Sequence, residues 1–367
     1  MNSNKVKVAI IGCGRVAGHH ARSILELRDQ YELLAICDLD KDKALEMAKN
    51  LDQNIIVYEN YNEMLADHQS IDLVSIVTPS GMHFEHSLDI IENHKKNIVV
   101  EKPIVMNLDQ GEILKNKSKE NNVIIFPVFQ YRFNKSVDRV KKAVKNNELG
   151  EIFLSTIRTR WCRTQQYYDR DPWRGTFSHD GGACTNQGIH HLDILRYVMG
   201  EISKVSSIMS TNGSNIEVED TAVATLQFES GASGVVEITT AARPEDFESS
   251  LSFVGSKGIA VIGGWATNEL VTFSPDKTEE KRNSEIFPDV YGFGHKVIYE
   301  GIYKAMKHND QPYVSFEDAM KTIKFLHAIY VSSETNDWCH LSKNMQSSRL
   351  GELNDNISKL YQTPKKK

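Results

Sequence analysis

At 367 residues, 40% hydrophobic and 25% charged, the chain has the length of two domains and the make-up of an ordinary folded protein. Its formal charge of −6, with no basic stripe interleaved with aromatics, argues against a nucleic-acid partner. No apolar run approaches the roughly 18–20 residues that span a bilayer, so no membrane partner is expected.

The opening stretch, 6–17, reads Val-Lys-Val-Ala-Ile-Ile-Gly-Cys-Gly-Arg-Val-Ala, and Val16, Ile24 and Leu27 then fall on one side of a helix. A β-branched run that stops at Gly12 and Gly14 before a helix is the strand–turn–helix of a dinucleotide-binding unit, with Ala17 in the third small position. Gly12 permits the tight turn, Gly14 lets backbone approach a pyrophosphate, and the helix N-terminus offers N–H groups to the anion. The second strand, Tyr31–Cys37, ends at Asp38, near the spacing of about twenty residues expected of a ribose-binding carboxylate. A carboxylate there repels a 2′-phosphate, which predicts NAD rather than NADP. Because Met1–Lys5 run straight into the first strand at Val6, no signal peptide is expected. Five scattered cysteines without a Cys-x-x-Cys pair fit a reduced compartment, and a cytoplasmic protein is expected.

Alternation continues with a helix over 40–51, a strand over 55–58 and a helix over 60–67. A nearly continuous apolar strand at 71–77 follows, then a helix over 84–93, a strand at Asn97–Val100, a helix over 108–120 and a strand over 123–129. This is a doubly wound parallel sheet, a Rossmann domain assigned to residues 1–129, in which ligands sit at the carboxyl ends of the strands. Cofactor contacts are accordingly expected from Gly12, Gly14, Arg15, Val16 and Asp38. Thr78, Pro79, Ser80 and His83, and then Glu101, Lys102 and Gln130, complete the expected set.

From about Gly150, period-two segments take over at 151–161, 204–211, 221–229, 232–240, 248–254 and 258–262. One helix is inserted over 186–198, and two follow at 295–307 and 316–331. They predict an α+β domain over 130–345 with a large, mostly antiparallel sheet. Its free face would join subunits into a homodimer or homotetramer. The polar tail, 346–367, is expected to fray.

Three groups of residues carry the candidate chemistry. Glu101-Lys102-Pro103 ends a strand, and the proline restrains the direction in which the lysine is presented. In Asp180-Gly-Gly-Ala-Cys-Thr-Asn186-Gln-Gly-Ile-His190-His191-Leu-Asp193, Asn186 is a good N-cap and shares a helix face with His190. Asp193 stands where it could meet His190. His179, Asp180, His190, His191 and Asp193 invite a zinc reading but lack His-Glu-x-x-His or cysteine spacing, so no metal is expected. The third group runs from Arg158 to Arg174, with five arginines and four large aromatics within seventeen residues of a net-acidic chain. Guanidinium forks suit carboxylates and phosphates, and the rings suit a flat base or a sugar.

The Gly-x-Gly-x-x-Ala turn, Glu101-Lys102-Pro103 and the Gly-Gly…His190-x-x-Asp193 segment resemble the glucose–fructose oxidoreductase/inositol dehydrogenase/rhizopine catabolism (Gfo/Idh/MocA) family, to about residue 345. The resemblance implies a Rossmann domain, a second domain whose sheet forms subunit interfaces, and Lys102 and His190 facing the substrate. Many members carry an aspartate four residues before that histidine; here Asn186 stands in its place.

Within the family, several stretches are similar to the NAD-dependent UDP-N-acetyl-2-amino-2-deoxyglucuronate 3-dehydrogenases of surface-polysaccharide synthesis. They are Trp161-Cys-Arg-Thr-Gln-Gln-Tyr-Tyr-Asp169, Trp173-Arg-Gly-Thr176, Asn186-Gln187, Asn215-Ile-Glu-Val-Glu-Asp-Thr221 and Tyr291-Gly-Phe-Gly-His295. This branch implies oxidation of the C3 hydroxyl of a UDP-linked sugar acid. His190 would take the proton and Lys102 would steady the alkoxide. Arg160, Trp161, Arg163, Tyr167, Tyr168, Trp173, Arg174, Asn186, His190 and Asp193 would hold the substrate. Two other readings are an NAD-dependent dehydrogenase or reductase of a free sugar, inositol or keto-sugar, and an NAD-binding sensor without chemistry.

Overall fold

The computed structural model describes residues 5–51, 55–342 and 345–363. Its first half alternates strand and helix: β1 (Val6–Ile11), α1 (Ala17–Glu26), β2 (Tyr31–Cys37), α2 (Lys41–Asn50), β3 (Ile56–Tyr58), α3 (Tyr61–Asp67), β4 (Leu73–Ile76) and α4 (His83–Asp89). β5 (Asn97–Val100), α5 (Leu108–Asn121) and β6 (Ile125–Pro127) complete it. The strands form one parallel sheet in the order β3-β2-β1-β4-β5-β6, which reverses direction between β1 and β4. β1 and β4 are buried almost throughout, as strands covered by helices on both faces must be. Ile11 is in register with both Cys37 and Ile76, so three strands end together. That alignment sets Gly12, Asp38 and Thr78 side by side at the crevice where such sheets bind ligands.

The second half begins with α6 (Lys135–Lys145), β7 (Ile152–Arg160), the single turn α7 (Gln165–Tyr168) and α8 (Ile189–Met199). Then come β8 (Ile202–Ser210), β9 (Thr221–Phe228), β10 (Ser233–Thr239), β11 (Glu248–Gly255), β12 (Ile259–Gly263), β13 (Glu269–Phe273) and the short α9 (Thr278–Arg282). Last come α10 (Gly294–His308), α11 (Phe316–Thr335), β14 (Cys339–His340) and α12 (Asp355–Ser358). The eight strands lie in the order β13-β12-β11-β7-β10-β9-β8-β14, antiparallel except where β10 meets β7. Alternate residues of β7 face opposite ways: Ser155, Ile157 and Thr159 are buried, whereas Leu154 and Arg158 are exposed on the uncovered face.

Two expectations change here. Helix α10 lies late in the chain, yet its Ile298, Tyr299, Ile302 and Ala305 join Val6, Val8 and Ile10 of β1 in one apolar core. A boundary near residue 130 therefore separates the sheets in sequence, while 294–308 returns to cover the first. The tail does not fray over its described residues. Ser347 and Leu350 are buried, Gly351 N–H donates to Phe177 O at 2.9 Å, and Gln346 Oε1 accepts the Leu108 N–H at 2.6 Å. Ser358 and Tyr361 pack against His179, and Gln362 reaches Glu85, so the tail spans from one domain to the other. Its polar residues hide this because they serve as caps and bridges between surfaces.

Candidate active site

Strand ends make the cofactor wall. Gly12 has φ +93°, and a Cβ there would lie 2.6 Å from Val77 O, so glycine is what lets β1 turn against β4. Beside Gly14 no atom lies within 4 Å of the Cβ position, which leaves the cradle open. Val16 begins α1 without a side-chain cap; Ala17 N–H donates to Gly14 O at 3.1 Å and His19 N–H to Val16 O at 2.9 Å, which leaves the Val16 and Gly18 N–H groups for an anion, with Arg15 adjacent. Asp38 accepts the Cys13 N–H at 2.7 Å and the Asp40 N–H at 2.9 Å, which ties its carboxylate to the glycine turn. Thr78, Pro79 and Ser80 follow the end of β4, and Gln130 is buried with Oε1 lacking a partner. These features fit a dinucleotide: an open glycine cradle, an uncapped helix start and a carboxylate at the second strand end.

His83 and Glu101 do something other than expected. His83 is buried, with Nδ1 2.7 Å from Pro103 O and Nε2 2.9 Å from Thr78 O, so it braces two strand ends together. Glu101 Oε1 accepts from His20 Nε2 at 3.0 Å and His295 Nε2 at 3.3 Å, while Oε2 accepts the Lys102 N–H at 3.1 Å. Burial works against this charge, yet the two histidine donors hold the carboxyl well below the usual carboxylate range. Among the described residues, His20, Glu101 and His295 are the set whose ligand atoms all lie within 4.8 Å. Their direct hydrogen bonds already account for that closeness. His20 and His295 were not visible from sequence as Glu101 partners, because α1 and α10 lie at opposite ends of the chain.

At the centre, Lys102 Nζ donates to Asn186 O at 2.8 Å. Burial pulls its pKa down, the Glu101 and Asp180 carboxylates oppose that, and Arg174 adds to the pull. His190 is 7% exposed, stacked on Tyr131 at 4.5 Å and 25°, with Nδ1 unpartnered. Burial and then the Lys102 charge press its pKa well below the ordinary imidazole value, so it is neutral at neutral pH. A neutral imidazole beside an ammonium is what a proton acceptor and an oxyanion stabiliser need to be.

Asn186 is not an N-cap. It lies in a wide turn over Ala183–Gln187, Gly188 precedes α8, and the Asn186 amide donates to Asp180 Oδ1. Asp193 turns away from His190: Arg132 donates to both its oxygens at 2.6 Å, and Thr322 donates at 2.7 Å. At 1% exposed it is a buried structural anion, because three residues along the helix point it at Arg132 rather than the cleft.

The arginine–aromatic segment divides the same way. Arg160 lies on the open sheet face, where Glu237 accepts from its Nε at 2.5 Å and Glu248 from its Nη1 at 3.1 Å. Tyr168 is buried with its hydroxyl 3.0 Å from that of Thr240. Both are structural, as strand alternation and burial decide. Trp161 is buried edge-on to His191. Arg163, Tyr167, Trp173 and Arg174 converge instead. Tyr167 Oη accepts from Arg174 Nη1 at 2.5 Å and Gln187 Nε2 at 3.0 Å, and the Arg174 guanidinium lies 4.5 Å over Trp173. Arg163 sits over Trp161 and Tyr167 and donates to Asp246 at 2.9 Å. Gln187, which donates to Tyr167, adjoins Asn186, whose backbone oxygen Lys102 reaches, so this cluster borders the strand end that carries Lys102.

Residues 6–129 match the oxidoreductase family's NAD-binding Rossmann fold, and 141–341 its C-terminal alpha/beta domain. The chain belongs to the Gfo/Idh/MocA oxidoreductase family. It is an NAD-dependent dehydrogenase of the sugar and polyol class. A myo-inositol 2-dehydrogenase of Thermotoga maritima is 26% identical, covering 90% of this chain and 96% of the relative. D-glucoside 3-dehydrogenase of Escherichia coli is 28% identical over 71% of this chain and 78% of its own. The WlbA dehydrogenase of Bordetella pertussis, solved with NADH and UDP-GlcNAcA, superposes with a TM-score of 0.84 at 28% identity, over 93% of this chain and 99% of that one. No helix among the described residues is long and apolar enough to cross a membrane.

Proposed function

We propose that the chain oxidises the C3 hydroxyl of a UDP-linked N-acetylamino sugar uronic acid with NAD. The observation that carries this reading is the convergence of Arg163 and Arg174 on Tyr167 and Trp173, joined through Gln187 to the neighbouring Asn186 that Lys102 reaches. A diphosphate and a carboxylate pair with guanidinium forks and a uracil stacks on flat rings; a neutral cyclitol packs on rings too but offers no anion to the arginines. The likeness to the WlbA dehydrogenase points the same way, while the inositol and glucoside dehydrogenases are the relatives that favour a free polyol.

When bound, NAD supplies a hydride acceptor. His190, neutral at rest, accepts the hydroxyl proton, and the Lys102 ammonium steadies the charge that develops on oxygen. A hydroxyl of pKa ~15.7 lies about 9 units above even an ordinary imidazole, so full prior deprotonation by His190, whose pKa is lower still, would cost more than roughly 12–13 kcal/mol. Proton removal is therefore coupled to hydride departure and assisted by Lys102. The subunits associate through the open sheet face, which exposes Leu154, Ile208, Val223, Ile259 and Val271.

Thermal melting with NAD present separates the readings. UDP alone raises the midpoint if the cluster is a nucleotide subsite, and Arg174→Ala abolishes that rise. Protection by myo-inositol but not UDP contradicts the nucleotide-sugar reading.

A further inference from the structure

The aspartate that many family members carry is absent at position 186, yet the site does not lack a carboxylate. Asp180, six residues earlier, is 1% exposed. Its Oδ2 accepts the Gly175 N–H at 2.7 Å, and its Oδ1 accepts from Asn186 Nδ2. Lys102 Nζ donates to the backbone oxygen of the same Asn186 at 2.8 Å, so the ammonium and the carboxylate flank one residue. We propose that Asp180 is a positioning residue of this site, which orients the Asn186 amide and gives Lys102 the counter-charge that an aspartate at 186 would supply.

An ionised carboxylate only accepts hydrogen bonds, so an amide facing it must present its NH2 end. Asn186 Oδ1 is thereby left as an acceptor for a sugar hydroxyl, the part an aspartate oxygen would play, while the charge sits one side chain further back. The proposal rests on the dehydrogenase reading for what that acceptor meets. The turn itself is built to hold this arrangement. Gly181 and Gly182 have φ +73° and +75°, and a Cβ on Gly182 would lie 2.2 Å from the Glu219 carboxylate beneath it.

The charged groups facing Lys102 are Glu101, Asp180 and Arg174, with His190 alongside. Glu101 is already engaged by His20, His295 and the Lys102 N–H. Asp180 faces Lys102, Arg174, Tyr167, Tyr168 and Glu219. Burial raises its own pKa, while its two N–H donors and the Arg174 and Lys102 charges favour the ionised form.

The test is an NMR titration of Lys102 in the full chain carrying 13C-lysine, with the signal assigned by its loss in Lys102→Met. In Asp180→Asn the Lys102 pKa falls by about one pH unit or more, because an opposite charge has gone. In the swap variant Asp180→Asn/Asn186→Asp, which keeps one amide and one carboxylate across the same bond, it returns to near the wild-type value. The swap also serves if the single variant fails to fold. A Lys102 titration unmoved in Asp180→Asn, or still low in the swap, overturns the proposal. Because this readout needs no sugar, it stands apart from turnover. Failure to oxidise any sugar would contradict the dehydrogenase reading alone.

Discussion

The two walls of the cleft are held by different means. On the cofactor wall the work falls to backbone: a positive-φ glycine, an uncapped helix start and strand ends in register. On the substrate wall it falls to ion pairs between residues far apart in the chain, 61 apart for Arg132–Asp193 and 83 apart for Arg163–Asp246. Backbone grips a diphosphate that never varies, whereas side-chain pairs can be exchanged to suit a different sugar. Single charge changes should therefore cost most at buried ion pairs such as Arg132–Asp193 and least at exposed ones.

The largest effect is expected at Arg132, 4% exposed with Asp193 on one side and Asp318 on the other. Arg132→Ala leaves a buried carboxylate without its cation and lowers unfolding free energy by about 3–5 kcal/mol in denaturant titrations. Next come Lys102→Met and His190→Asn. Each should reduce kcat at least about a hundredfold while NAD binding, followed by fluorescence titration, is retained. Near-normal turnover in both would remove them from the chemistry.

A smaller, pH-dependent effect belongs to Glu219, whose carboxyl is pushed up to about 8 by burial under the turn that carries Asn186. The folded state holds this proton when the unfolded chain has already released it. Stability is therefore lost as pH rises from about 4.5 to about 8, at up to about 1.4 kcal/mol per pH unit. Glu219→Gln should flatten stability across that window; an unchanged slope contradicts the assignment. The smallest effect is expected at Arg160, half out in solvent on the open face. Arg160→Ala should change stability by less than about 1 kcal/mol and leave kcat unaltered.

The same contrast explains what the sequence made legible. The Gly12–Ala17 turn and the strand ends at Asp38 and Glu101-Lys102-Pro103 could be placed because local backbone sets them: a strand must end and a helix must begin there. His190 and Lys102 were singled out through the family likeness. Asp193, Arg160 and Tyr168 misled, because residue type and spacing do not say whether a polar side chain faces the cleft, a buried cation or the open sheet face. Asp180 stood in the rejected zinc cluster; what marks it in the sequence is its place before Gly181-Gly182, six residues ahead of an asparagine where many family members carry aspartate. Helix α10 and the tail were misjudged for one reason: packing on a distant sheet leaves no mark in a segment's own composition.

The proposed nucleotide-sugar activity turns on the cationic aromatic cluster around Tyr167. NADH absorbance tests it most directly, with the full-length protein, NAD and UDP-N-acetylglucosaminuronic acid, against myo-inositol and glucose. A nucleotide-sugar dehydrogenase forms NADH with the nucleotide sugar acid and gives at most a trace signal with the free polyols. Turnover of myo-inositol or glucose, with none from the nucleotide sugar acid, would contradict it.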